Sequence, residues 1–189
     1  AMMKKAAADL GGVDILVNNA GIQHVAPVEE FPVAKWDAII AINLSSAFHA
    51  TRMAVPYMKS KKWGRIINVA SAHALVASPF KSAYVASKHG IIGMTKALAL
   101  DLAPRRITVN AILPAWIDTP MLQGELATQA RIAGISHEQI LRNAKKKLPL
   151  RRFIQGDEVA AMVRYLASPQ ASGVTAQSLM IDGGAGLGM

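Results

Sequence analysis

Short apolar runs alternate with long helical ones along this 189-residue chain, and that alternation leaves few folds open. VDILVNNAG (13–21), GRIINVAS (64–71), ITVNAILPA (107–115) and SLMIDGG (178–184) read as strands running into Asn, Ser, Pro or Gly turns. Between them, 33–62 and 82–103 carry helical periodicity. Pro56 predicts a local bend in the first, and Pro104 ends the second. Residues 121–147 form a further helical segment rich in Gln, Ala and Lys, and 156–168 reads as a helix with Asp157 as its N-cap. Strands separated by helices run parallel, and a parallel sheet needs cover on both faces. The expectation is one α/β domain over 1–189, a doubly wound parallel sheet that binds ligands beyond the carboxyl ends of its strands.

Composition narrows the function classes. Hydrophobic residues make up 52% and charged ones 17%, which suits a globular domain. The net charge of +9 is scattered over 59–65, 104–106, 145–147 and 151–152. Only 5% of residues are aromatic, too few for a base-stacking platform, so no nucleic-acid partner is expected. A positive field still favours a small anionic substrate. The apolar runs break before bilayer length, and AMMKKAAADLGG lacks a signal-peptide core, so no membrane association is predicted. The absence of cysteine excludes disulfides and a thiolate nucleophile and suits a cytoplasmic protein. Five histidines without ligand spacing predict no metal site.

The chemistry gathers in SAYVASK (82–88), where Tyr84 and Lys88 lie one helical turn apart. A phenol is a poor base at neutral pH, and a neighbouring ammonium favours phenolate. Such a phenolate can take the proton of a substrate hydroxyl while hydride leaves the same carbon. Ser71, at the end of a strand, is placed to hold the substrate oxygen, and Asn43 to hold a water that links Lys88 to solvent. Taken singly, each residue has a plain structural reading; the set is harder to dismiss.

The ordered features NNAG (18–21), Asn43 in INLSS, Ser71, YxxxK at 84–88 and PAWIDTP (114–120) resemble the short-chain dehydrogenase/reductase family. The resemblance covers essentially the whole chain and implies a Rossmann-like fold with a catalytic tetrad of Asn43, Ser71, Tyr84 and Lys88. It implies cofactor contacts from Asn19, Ala20, Gly21, Tyr84, Lys88, Pro114, Ile117 and Thr119. NNAGIQHVAPVEEFP and SAHALVASPFKSAYVASKHG further resemble the bacterial 3-hydroxybutyrate dehydrogenases. That subgroup implies a substrate carboxylate held by Gln23, His73, Lys81 and Trp116, and an NAD-dependent oxidation of a small hydroxy acid.

The pattern also departs from the family. The glycine-rich phosphate turn and the residue that selects NAD over NADP are not in this chain, so the sheet is expected to lack its first strands and to bind cofactor weakly or not at all. A catalytically silent remnant that binds a partner or self-associates is the alternative. Ala115 stands where the family usually has Gly, at a position that can demand a φ alanine dislikes. Glu125 stands where the subgroup tends to have Gln, and its charge would oppose a carboxylate substrate. The helices at 33–62 and 82–103 resemble the family's subunit-contact pair, which implies a homo-oligomer, a dimer or a tetramer.

Overall fold

A computed structural model describes residues 2–187. The apolar runs form β1 (Ile15–Asn18), β2 (Gly64–Val69), β3 (Ile107–Pro114) and β4 (Ser178–Ile181). All pairings are parallel, in the order β1-β2-β3-β4. The two central strands are buried along nearly their whole length, as a sheet covered on both faces requires.

The helices are α1 (Met2–Leu10), α2 (Val33–Ile40), α3 (Ser46–Lys61), α4 (Ser82–Leu102), α5 (Pro120–Ala133), α6 (His137–Lys147) and α7 (Gly156–Ala167). Adjacent residues of β2 point to opposite faces. Ile66 packs with Val109, Ala54, Met58 and Ala99 beneath α3 and α4. Ile67 packs with Ile112 and Leu166 beneath α7. The doubly wound arrangement expected from the alternation is therefore present.

Three expectations need correction. The segment 33–62 is not one regular helix, because a π-helical turn at Ala41–Ser45 joins α2 to α3 and carries buried Asn43. The segment 121–147 divides at Gly134, whose φ of +65° ends α5, and Ser136 then caps α6 by accepting from the Gln139 N–H. The N-cap of α7 is Gln155 rather than Asp157. Glu158 decides this by reaching back to accept from the Gln155 N–H at 2.8 Å while Arg152 holds both its oxygens.

By length and composition alone, Val33–Lys61 could cross a membrane. Here it covers the sheet, with Ala47, Thr51, Ala54 and Met58 buried.

Candidate active site

The site begins at the carboxyl ends of β1 and β2. Asn18 and Asn68 lie in register, and Asn18 Nδ2 donates to Asn68 Oδ1 at 2.8 Å. Asn68 Nδ2 in turn donates to Thr95 Oγ1 on α4, also at 2.8 Å. This partly buried relay fixes where the chain leaves β1. Asn19 and Ala20 then stand exposed, and Gly21 packs close to the site, since a Cβ there would lie 3.7 Å from both Asn43 Oδ1 and Lys88 Nζ.

Asn43 makes protein contacts beyond the role expected of it. Its Oδ1 accepts from the Ile22 N–H at 2.8 Å, and its Nδ2 donates to the Ile22 carbonyl at 2.9 Å and to Ser87 Oγ at 3.2 Å. The side chain clamps the loop after β1 to the π-helical turn.

Ser71, Tyr84 and Lys88 come together as the sequence predicts. Ser71 follows β2 and caps the short 3-10 turn Ala72–Ala74 by accepting from the His73 N–H at 3.2 Å. Burial pushes the Tyr84 phenol up; the hydrogen bond with Ser71 pulls it down, and the charge of Glu125 adds to the rise. Lys88 Nζ lies 5.5 Å from the centre of the Tyr84 ring and donates to the Val69 carbonyl at 2.9 Å. Burial lowers Lys88 to about 8. The net shift of the phenol is therefore upward, opposite to the fall expected, because desolvation outweighs the pull of Ser71; the Lys88 ammonium is directed to a backbone carbonyl.

The residues expected around a substrate carboxylate are mostly assembled, around an unexpected partner. Lys81, at the start of α4, donates from Nζ to Glu125 Oε1 at 2.8 Å, and Gln23 Nε2 donates to Glu125 Oε2 at 3.2 Å. Burial raises Glu125, but Lys81, Gln23 and His73 together hold its carboxyl below the usual range. His73 lies edge-on to Tyr84 at 5.8 Å between ring centres, with Nε2 2.9 Å from Ser78 Oγ. Burial lowers its pKa, Lys81 lowers it further, and Glu125 opposes both.

Trp116 lies apart from this cluster of hydrogen bonds. Its ring stacks on Phe153 at 6.3 Å, next to the core formed by Leu126, Ala144 and Leu148. The backbone strain expected at Ala115 falls on Trp116 instead, at a φ of +53°. Beyond Pro114, Ile117 bridges to Ile154, and Thr119 Oγ1 caps α5 by accepting from the Leu122 N–H at 3.3 Å. No His/Asp/Glu cluster suited to a metal ion occurs among the described residues.

The donor set fits the nicotinamide end of a dinucleotide. Lys88 spends one of its three N–H bonds on Val69, which leaves two for a ribose diol, with Gly21 and the exposed Asn19–Ala20 backbone alongside. The asparagine relay was not foreseen; an Asn ending each of two apolar strands was its only signal.

Sequence and structure comparisons agree with this geometry. The family model described as enoyl-(acyl carrier protein) reductase matches residues 1–186. D-beta-hydroxybutyrate dehydrogenase of Rhizobium meliloti is 52% identical over 184 residues, 97% of this chain and 71% of that protein. The enzyme of the same name from Cupriavidus necator is 54% identical over the same shares. An actinorhodin polyketide ketoreductase variant solved with NADPH superposes with a TM-score of 0.93 at 37% identity, over 97% of this chain and 71% of the other. With the parallel sheet and the Ser71–Tyr84–Lys88 grouping, these matches show that the chain belongs to the short-chain dehydrogenase/reductase family of oxidoreductases.

Proposed function

We propose that this chain moves hydride between a nicotinamide cofactor, NAD in preference to NADP, and the carbinol carbon of a small 3-hydroxyacyl compound of the 3-hydroxybutyrate type. The observation that carries the reading is the half-buried Tyr84 phenol, beside Ser71 and with Lys88 Nζ 5.5 Å from the centre of its ring. The nicotinamide accepts or supplies the hydride. The chain's own residues move the proton and hold the oxygen.

In the reductive direction, Tyr84 gives its proton to the carbonyl oxygen as the C–H bond forms, and Ser71 donates to that same oxygen. In the oxidative direction, Tyr84 must first be ionised; it then takes the hydroxyl proton as the carbon–oxygen double bond forms. A phenol raised by burial suits the first role at neutral pH and the second at alkaline pH. Lys88, Asn19, Ala20 and Gly21 would hold the nicotinamide ribose, with Pro114, Ile117 and Thr119 on the adjoining wall. Asn43 positions that loop. Gln23, His73 and Lys81 would face the acyl end. The two hydroxybutyrate dehydrogenase relatives support the substrate class. A cytoplasmic small-molecule enzyme without nucleic-acid or membrane partners completes the reading.

The test is Tyr84→Phe. Turnover of 3-hydroxybutyrate derivatives is expected to fall by about 10²–10⁴-fold with an unchanged circular dichroism spectrum. An active wild type whose rate survives the substitution removes the proposal. A folded wild type that fails to titrate with either nicotinamide dinucleotide supports a binding-only remnant instead.

A further inference from the structure

A carboxylate of the protein itself engages Lys81 and Gln23. Glu125 reaches from α5 to place one oxygen 2.8 Å from Lys81 Nζ and the other 3.2 Å from Gln23 Nε2. Gln129 Nε2 adds a third donor at 3.3 Å. The Lys81 side chain is only 10% exposed and that of Glu125 28%, so the lysine is buried and the carboxylate half-buried. Its field reaches both His73 and Tyr84, which places it beside the proposed chemistry. Two groups that the sequence marks for a substrate carboxylate are already engaged by an internal one.

We infer that Glu125 is a specificity-determining residue that turns away free carboxylates and leaves the site to neutral acyl derivatives of the same 3-hydroxy compounds. The inference rests on the proposed function for its substrate class. Lys81 and Glu125 cancel in charge. A neutral acyl carbonyl needs one donor, and Lys81 has two N–H bonds beyond the one spent on Glu125. A substrate carboxylate has two poorer options. It can displace Glu125, which strands a half-buried charge without its ammonium. Otherwise it sits beside Glu125, with two negative charges sharing one cation. An amide or thioester carbonyl meets neither cost, so the selectivity comes from a repulsive element built into the site.

The test compares binding, without turnover, on the full chain. The probes are the 3-hydroxybutyrate anion, its amide and its N-acetylcysteamine thioester, titrated by ligand-observed NMR at neutral pH against wild type and Glu125→Gln. The wild type is expected to bind at least one neutral probe about tenfold or more tighter than the anion. The tighter of the two neutral probes identifies the acyl group that the site suits. Glu125→Gln is expected to strengthen anion binding by about tenfold and to leave the neutral probes unchanged. Glu125→Ala serves as a second variant if the first does not fold, with the same direction expected. Equal or tighter binding of the anion by the wild type, an unchanged ratio in the variant, or no binding of any probe to either protein would each overturn the inference. If Tyr84→Phe keeps the wild-type rate while the binding ratio shifts as expected, the catalytic reading fails and the role of Glu125 stands.

Discussion

Lys88 Nζ donates to the carbonyl oxygen of Val69 at 2.9 Å, and this bond ties the fifth residue of the YxxxK run to the last residue of β2. It fixes an ammonium at the end of the sheet and leaves two of its N–H bonds unspent. It also buries a charge, which lowers Lys88 to about 8.

A pH dependence of stability follows from that burial. Between about pH 8 and the ordinary lysine value of 10.5, the unfolded chain holds the Lys88 proton and the folded chain has lost it. Stability contributed by this group therefore rises with pH across that window, and below it the full cost of the buried charge persists. The gain is on the order of 3 kcal/mol. Tyr84 acts oppositely above pH 10, where its raised phenol favours the protonated fold and stability falls as pH rises. Urea midpoints of wild type and Lys88→Met at pH 7 and pH 10 isolate the lysine. The gap between the two proteins is expected to shift towards the wild type at the higher pH.

Asn43 makes two bonds to the backbone of Ile22. Asn43→Ala leaves that N–H and carbonyl without partners, and a loss of about 2–4 kcal/mol is expected. Asn43→Asp keeps the acceptor but not the donor and is expected to lose less. Equilibrium denaturation of both variants checks the order; equal losses would mean that the clamp is not what the residue contributes.

Gly64 opens β2 directly against α3. A Cβ there would lie 2.6 Å from Met58 Sδ and 2.8 Å from Met58 Cβ, and the latter cannot move without moving the helix. Gly64→Ala is expected to cost about 1–3 kcal/mol through overpacking. Met58→Ala in the same chain should recover part of that loss in a double-mutant cycle. Simple additivity would place the strain elsewhere.

Self-association is expected through the helices that cover the sheet. Ile42 and Phe48 on the α2–α3 run and Leu100 on α4 remain exposed, while the opposite sides of these helices are buried. A two-fold contact would use such a surface twice. Light scattering at micromolar concentration is expected to give a dimer or tetramer, and Phe48→Glu to shift the mass towards the monomer. A monomeric wild type would end this expectation.

The sequence by itself determined the alternation of strand and helix, and so the parallel sheet with both faces covered. It also determined the order of Ser71, Tyr84 and Lys88, because helical spacing and strand ends are local properties of a few consecutive residues. Long-range packing decided the rest. The N-cap passed from Asp157 to Gln155 because Glu158, held by Arg152, could reach back to its N–H. The phenol rose instead of falling because burial, which no spacing encodes, outweighed the pull of Ser71, and the charge of Glu125 added to the rise. Above all, Glu125 stands 102 positions from Gln23 and 44 from Lys81, yet it touches both. The sequence could mark its charge as unwelcome to a carboxylate substrate. Only the tertiary structure, by carrying α5 across the site, made that charge the occupant of Lys81 and Gln23.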